Sequence, residues 1–186
     1  MPAALLPRSE IIARLSETFR RQGYDGASLA EIAKATGLGK SSLYHYFPGG
    51  KSEMAAAVLA DLAESLDAAI LAPLRGPGTP ARRLGRMIDA LDAFYDGGRK
   101  ACLLERMAAS VERATFARPL QTAFGRWIDA VAALLREAGM SPAAARARAE
   151  ESVIRIEGAL VLSGGTGSTE PFERVLASLR RDLLPR

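Results

Sequence analysis

Residues 28–51, with the sequence SLAEIAKATGLGKSSLYHYFPGGK, constrain the fold more than any other part of the chain. Ser28 and Glu31 have the spacing of a capping box, in which each side chain bonds a free backbone N–H group of the other residue at the start of a helix. Gly37 then supplies the left-handed backbone conformation with which a helix commonly ends. A second helix is predicted over residues 40–47. Two short helices across a glycine turn predict a helix-turn-helix unit, whose second helix enters the major groove of DNA.

The spacing of small and apolar residues in this stretch supports the same interpretation. If Leu29 is counted as the first position, Ala33 is the fifth and Gly37 is the ninth. Leu43 is the fifteenth and would be the apolar anchor behind the second helix. A helical hairpin in an ordinary bundle could share the glycine, but it would have less reason to leave the residues around a single anchor polar. We therefore expect a DNA-reading helix with polar residues that face the groove or its phosphate walls: Lys40, Ser41, Ser42, Tyr44 and His45.

A family resemblance rests on Thr36-Gly37, on Ser42-Leu43-Tyr44-His45-Tyr46-Phe47 and on Lys51. With these residues, roughly residues 8–60 resemble the DNA-binding domain of the TetR/AcrR family of regulators. In most of that family the step from the last aromatic residue to the lysine is shorter. The longer step here, Phe47-Pro48-Gly49-Gly50-Lys51, is similar to the branch whose C-terminal domain is like those of the LmrA and YxaF repressors.

Phosphate contacts are expected at the ends of the predicted helices. Ser28 caps the supporting helix and could also donate to a phosphate. Lys51 lies at the start of the fourth helix, where the helix dipole already favours an anion. Arg8 and Ser9, at the start of the first helix, could touch phosphate as well, whereas the apolar stripe of that helix is interpreted as scaffold.

Charge is distributed in a way that suits this prediction. The chain has 186 residues and a formal net charge of +4. Residues 1–51 contain 7 basic and 4 acidic residues, whereas the remainder contains 18 basic and 17 acidic residues. The positive excess therefore belongs mainly to the predicted DNA reader, as attraction to phosphate requires.

The sequence offers little for catalysis or metal binding. His45 is the single histidine and lies on the predicted reading helix, where a phosphate or base contact fits better than acid–base chemistry. Cys102 is the single cysteine, which excludes an internal disulfide and a multi-cysteine metal site. Its apolar surroundings favour a buried core residue, with a redox-sensing thiol as the alternative. The glycine-rich residues 164–167 lack the strand and lysine of a phosphate-binding loop. We expect neither an enzyme nor a cofactor.

Helical periodicity runs along the rest of the chain without strand-like alternation, which predicts an all-α protein of about nine helices. The first helix ends at Gly23, and a long helix runs from Lys51 to about Ile70. A breaker-rich loop over residues 72–80 follows it. Residues 164–167 break the chain before the last helix. We place the boundary between an N-terminal helix-turn-helix domain, residues 1–52, and a larger C-terminal helical domain, residues 53–186, within the long helix.

The family resemblance implies that the C-terminal domain encloses a pocket for a small effector. Apolar pockets with a few polar groups are usual for such ligands. Ordinary core packing is the alternative for every candidate, and Asp92, Glu105 and Arg106 are the polar candidates. The apolar candidates come from four successive helical segments: Met87, Leu91, Phe94, Tyr95, Leu103, Met107, Phe116, Phe124 and Trp127.

The last two helices are predicted to form a dimer interface. Their apolar stripes would be partly redundant in a monomer, and the resemblance implies that such helices pair across a two-fold axis as a four-helix bundle. The alternative is two further core helices in a monomer. The stripes consist of Ala149, Val153, Ile156 and Leu160 in one helix and of Phe172, Val175, Leu176, Leu179 and Leu183 in the other.

The function expected from these patterns is that of a homodimeric repressor that binds a palindromic DNA operator and is released by a small effector. A regulator without an effector, an activator and an enzyme that uses the C-terminal cavity are the alternatives. The start of the chain has no basic leader, and no apolar run is long enough to cross a membrane, so we expect a cytoplasmic protein.

Overall fold

The computed structural model describes residues 6–185, and within that range it contains helices and turns but no strand. The predicted all-α fold is therefore confirmed. The nine helices of this range are α1 (Arg8–Gly26), α2 (Leu29–Thr36), α3 (Lys40–Tyr46), α4 (Gly50–Leu66, continued by a π-helical turn at Asp67–Leu71 and a last turn at Ala72–Arg75), α5 (Pro80–Phe94), α6 (Leu103–Ala108), α7 (Arg113–Glu137), α8 (Pro142–Thr166) and α9 (Glu170–Asp182).

Packing divides the chain into two compact units. The first contains residues 6–62 together with Leu103–Leu120, and the second contains Ala63–Cys102 together with residues 121–185. The first unit thus holds α1, α2, α3 and α6. Both α4 and α7 contribute residues to each unit.

In the first unit, an apolar stripe on α1 forms the core behind α2 and α3. Ile11, Leu15 and Phe19 are fully buried. The helix does not stop at Gly23 as predicted. It kinks there, because Gly23 adopts φ 70° and ψ 173°, and a further turn follows as far as Gly26. That turn brings Tyr24, which is 6% exposed, into the core.

The long helix α4 ends later than its sequence predicts. A proline inside a helix cannot donate a backbone hydrogen bond, and its ring clashes with the carbonyl group four residues earlier. The helix accommodates Pro73 by widening just before it, so that the Ala72 N–H group bonds the Asp67 carbonyl group five residues back. The expected loop over residues 72–80 consequently begins only after Arg75.

In the second unit, the end of α5 packs against the start of α9. The hydroxyl group of Tyr95 donates to the Cys102 sulfur over 3.5 Å, and its ring packs edge-on against Phe172 with centroids 5.9 Å apart. Cys102 is 3% exposed, in agreement with its interpretation as a core residue. Gly98 lies against the same phenylalanine, with φ +91°.

Helix α8 runs through the glycine pair that was expected to break it. Gly164 and Gly165 are helical, and the helix ends at Gly167, which has φ 70° and donates its N–H group to the Ser163 carbonyl group. A left-handed glycine at this point is a common helix ending, and the two helical glycines before it cost stability without preventing the helix.

The apolar stripes of α8 and α9 are not surplus, contrary to the argument from sequence. They are covered by the chain itself, so they do not form a free face for a partner. Buried members include Val153, Ile156 and Leu160 in α8 and Phe172, Leu176 and Leu179 in α9, each at most 5% exposed. A dimer interface on these helices would have to use a different face.

Among residues 6–185, no helix is long and apolar enough to cross a membrane.

Candidate nucleic-acid interface

The supporting helix α2 begins with the capping box that the sequence predicts. The Glu31 N–H group donates to the Ser28 hydroxyl oxygen over 3.2 Å, and the Ser28 N–H group donates to the Glu31 carboxylate over 3.0 Å. The Ser28 hydroxyl group also donates to that carboxylate over 2.9 Å. The hydrogen bonds from Ser28, chiefly the one from its backbone, hold the pKa of Glu31 below its usual value. Since the Ser28 hydroxyl proton is used internally, donation to a phosphate would require this bond to break.

The turn between α2 and α3 is held by Arg14, for which local sequence patterns predict no contact with this turn. Gly37 has φ 73° and ψ 14°, and its N–H group bonds the Ala33 carbonyl group. The Arg14 guanidinium group donates to the last carbonyl group of α2, that of Thr36, over 3.0 Å. A cation at a helix C-terminus also interacts favourably with the helix dipole. Arg14 therefore ties the end of α2 to α1 and fixes the direction in which α3 begins.

The reading helix α3 presents all five predicted polar residues to solvent. Leu43 is 1% exposed and anchors the helix on the core. At about 100° per residue, Ser41 and His45 lie opposite this anchor, and Tyr44 lies beside them. Tyr44 is 46% exposed. The exposed set is Lys40, Ser41, Ser42, Tyr44 and His45.

The step from α3 to α4 is compact although it contains two glycines. Phe47 is fully buried, and the Arg8 guanidinium group lies 5.0 Å above its ring. The Tyr46 hydroxyl group donates to the Leu6 carbonyl group over 3.0 Å. Gly50 starts α4 with φ +67°, a conformation that other residues adopt at a cost. The positively charged Arg8 thus begins α1 close to the point where the reading helix ends.

Lys51 lies in the first turn of α4 and is partly exposed. Its ammonium nitrogen is 4.4 Å from the centre of the Tyr24 ring, within the range of a cation–π interaction. The spacing after Phe47 predicts a role for Lys51, but no local pattern predicts Tyr24 as its partner, because the tyrosine lies 27 residues earlier in the chain.

The predicted effector residues divide between the two units. Leu103 and Met107 belong to the first unit and the others to the second, apart from Phe116, which also lies in the first. Trp127 is 2% exposed, and its indole N–H group has no hydrogen-bond partner among the described residues. The other buried candidates are Met87, Leu91, Tyr95, Leu103, Met107 and Phe116, whereas Phe94 and Phe124 are half-buried. Of the polar candidates, Asp92 and Arg106 are exposed and Glu105 is half-buried.

A cleft in the second unit uses other residues. It has a volume of about 430 Å³ and an apolar floor that includes Leu74 and Leu134, with Arg83 and Glu137 paired at its side. Nearby, the Asp67 carboxylate accepts hydrogen bonds from Arg75 and Arg126, which hold its pKa below the usual range. The bond from Arg126 anchors the π-helical turn of α4 to α7, whereas the bond from Arg75 lies within α4.

Two family models match the chain. Residues 11–58 match the model described as bacterial regulatory proteins of the tetR family, and residues 80–178 match the C-terminal domain of LmrA/YxaF-like transcriptional regulators. The HTH-type transcriptional regulator LmrA of Bacillus subtilis (strain 168) is 26% identical over 183 residues, which is 96% of this chain and 97% of the relative.

Solved structures share the fold over nearly the whole chain. A TetR transcriptional regulator from Legionella pneumophila has a TM-score of 0.83 at 19% identity, and the match covers 94% of this chain and 96% of that one. The regulatory protein TetR from Rhodobacter sphaeroides has a TM-score of 0.76 at 25% identity, covering 95% of this chain and 98% of the other.

Proposed function

Because the chain belongs to the TetR family of bacterial transcriptional regulators, in the branch with an LmrA/YxaF-like C-terminal domain, we propose that it is a homodimeric repressor released from its operator by a small effector. The family consists of DNA-binding regulators and not of enzymes. The observation that carries the proposal is α3, a short helix in which one residue is the buried anchor and five of the other six are polar and exposed. DNA binding of this kind would take place in the cytoplasm.

The proposal divides the chain by role. Residues 1–52 would bind DNA, and residues 53–186 would bind the effector and form the dimer. Lys40 and Tyr44 would contact base edges. Lys51, together with the N-terminal end of α4, would contact backbone phosphate, as would Arg8 beside Phe47. Ser41, Ser42 and His45 would complete the contacts of α3. Ser28 would contribute at the start of α2 by exchanging its bond to Glu31 for one to a phosphate.

Lys51→Ala is expected to weaken binding to an operator and to a scrambled duplex alike. Each lost phosphate contact should lower the slope of log affinity against log salt by about 0.9, and a dimer has two such lysines, so the slope should fall by roughly 1.8. Lys40→Ala and Tyr44→Ala should instead reduce operator affinity more than that for scrambled DNA, by about 1–3 kcal/mol for each lost base contact. The measurement is a salt series of binding isotherms on both duplexes.

Lys100→Ala is the matched control for Lys51→Ala. Lys100 belongs to the second unit, and its ammonium group also lies over an aromatic ring, that of Phe94, at 5.9 Å. The same charge is lost, but the salt slope should stay close to that of the wild type. Loss of operator preference in Lys51→Ala with an unchanged salt slope would mean that the roles of α3 and Lys51 are reversed.

A dimer through α8 and α9 is supported by an exposed apolar face that differs from the buried stripes. Ile154, Val161 and Leu162 are 64%, 54% and 51% exposed and lie on one side of α8. A groove of about 580 Å³ runs between α8 and α9 and is lined by Leu162, Val175 and other residues of both helices. A symmetric dimer suits a palindromic operator because each reader can occupy one half-site.

Effector binding is expected to lower operator affinity by about 5- to 150-fold, and operator DNA should lower effector affinity by the same factor. An apolar or amphipathic compound library can be screened by intrinsic fluorescence, since Trp127 is the single tryptophan, is buried and is itself one of the candidate residues. Hits are then titrated with and without operator. Compounds that change the fluorescence while none alters DNA affinity would contradict the allosteric part of the proposal.

A further inference from the structure

Tyr24 lies between the proposed phosphate contact and a distant segment of the chain. On one side, the Lys51 ammonium group is 4.4 Å from its ring centre. On the other, the ring packs edge-on against Phe116 at the start of α7, with centroids 4.8 Å apart and an interplanar angle of 70°. The three residues all belong to the first unit. Tyr24 is only 6% exposed, so its ring has little freedom to move.

The neighbouring Asp25 ties the same end of α1 to the corner between α6 and α7, defined here as residues 110–116. Its carboxylate accepts hydrogen bonds from the Ser110 hydroxyl group over 2.9 Å and from the Val111 N–H group over 3.0 Å. The Glu112 N–H group donates in turn to the Ser110 hydroxyl oxygen over 3.1 Å. Burial raises the pKa of Tyr24, and the nearby Glu112 carboxylate raises it further. The phenol is neutral, and the negative face of its ring attracts the Lys51 ammonium group.

A lysine side chain that moves freely in solution loses conformational entropy when its ammonium group binds a phosphate. A ring beneath the ammonium group restricts that freedom before DNA arrives, and it leaves the outer side of the cation open. The position of the ring is in turn set by its contacts with the corner. The geometry thus forms a connected series of contacts from the α6–α7 corner through Tyr24 to Lys51.

We propose that Tyr24 is a positioning residue for the DNA-phosphate contact of Lys51, and that the α6–α7 corner holds Tyr24 in place for this role. The inference rests on the proposed function, in which Lys51 binds phosphate. It adds that a segment outside the helix-turn-helix determines how well this contact is made.

The test is a double-mutant cycle in the full-length dimer, with a scrambled duplex as the probe because phosphate contacts do not depend on sequence. Tyr24→Leu removes the ring and should weaken binding by about 2- to 5-fold per half-site, or about 4- to 25-fold for the dimer. Tyr24→Phe keeps the ring and the contact with Phe116 and loses only the hydrogen bond between the phenol and Glu112, so it should bind nearly like the wild type. In the Lys51→Ala background, Tyr24→Leu should have no further effect.

Phe116→Leu provides a second route, since it leaves Tyr24 intact and removes the edge contact that supports its ring. Phe116→Leu should cause part of the loss of DNA affinity seen with Tyr24→Leu when Lys51 is present. In the Lys51→Ala background it should cause no further loss. Thermal unfolding of each variant sets a temperature at which all of them are folded.

Equal losses of DNA affinity from Tyr24→Leu with and without Lys51 would overturn the inference in favour of a purely structural role. Tighter binding in Tyr24→Leu would overturn it too, because the ring would then hold the ammonium group away from phosphate. A wild-type salt slope in Lys51→Ala alone would instead remove the phosphate role on which the inference depends.

Discussion

Val161→Asp is expected to turn the proposed dimer into folded monomers that bind a palindromic operator poorly. The side chain is 54% exposed in the single chain, so the substitution should not disturb the core. In the dimer it would bury an uncompensated charge on each side of the two-fold axis, at a cost of about 3–5 kcal/mol, and raise the dissociation constant by at least about a hundredfold. Operator binding would also lose the gain from two linked half-sites, on the order of 10²–10⁴. Light scattering and operator titration give the two readouts.

Two variants separate dissociation from unfolding. Val161→Ala introduces no charge and should remain dimeric. Leu179→Asp, at a residue with 0% exposure in the single chain, should unfold or precipitate the protein instead of yielding monomers, because the charge would enter the core. A soluble Val161→Asp dimer of unchanged mass would rule out this face of α8 as the interface.

Gly98→Ala is expected to lower the free energy of unfolding by about 2–5 kcal/mol, since two effects add. The residue has φ +91°, which strains any side chain, and an added Cβ would lie 2.8 Å from the Phe172 Cβ atom. Phe172 is fully buried against Tyr95 and has little room to move. For a chain of this length each kcal/mol corresponds to about 2–4 °C in Tm, so a clear drop should appear in a thermal melt.

Gly97→Ala is the control at the adjacent position. Gly97 also has a positive φ, +61°, but its added Cβ would approach only the end of the flexible, exposed Arg99 side chain, at 3.2 Å. It should therefore cost roughly the 1–2 kcal/mol of the left-handed conformation alone. Equal losses of unfolding free energy in Gly97→Ala and Gly98→Ala would show that the contact with Phe172 adds nothing to the backbone strain.

Local patterns account for what could be predicted from the sequence. The capping box of Ser28 and Glu31, the left-handed Gly37 and the anchor Leu43 all act within a few residues, so their spacing alone predicts α2, the turn and α3. The exposure of the polar residues of α3 follows from the same periodicity. The starts of α5 and α8 depend on equally local features, because Thr79 and Ser141 each cap a helix whose first residue is proline.

Contacts between residues that are distant in the sequence account for the features that could not be predicted. The bond from Arg14 to Thr36 and the stacking of Lys51 on Tyr24 depend on how helices cross, which no spacing rule encodes. Helix α4 continues past Pro73 by means of a π-helical turn. Helix α8 includes two glycines that would end an isolated helix. The buried stripes of α8 and α9 looked like surplus only because their partners within the chain were unknown. The effector residues remain a prediction for the same reason.

The bonds from Asp25 to Ser110 and Val111 join residues 85 and 86 positions apart, and they have a consequence for how the protein is made. On a ribosome, residues up to Leu62 are synthesised long before the α6–α7 corner that completes their unit. At about 5–20 residues per second, the further 58 residues to Leu120 take roughly 3–12 s. During that interval the α1 surface around Tyr24 lacks its cover, so the newly made helix-turn-helix is exposed to chaperones and proteases before its unit is complete.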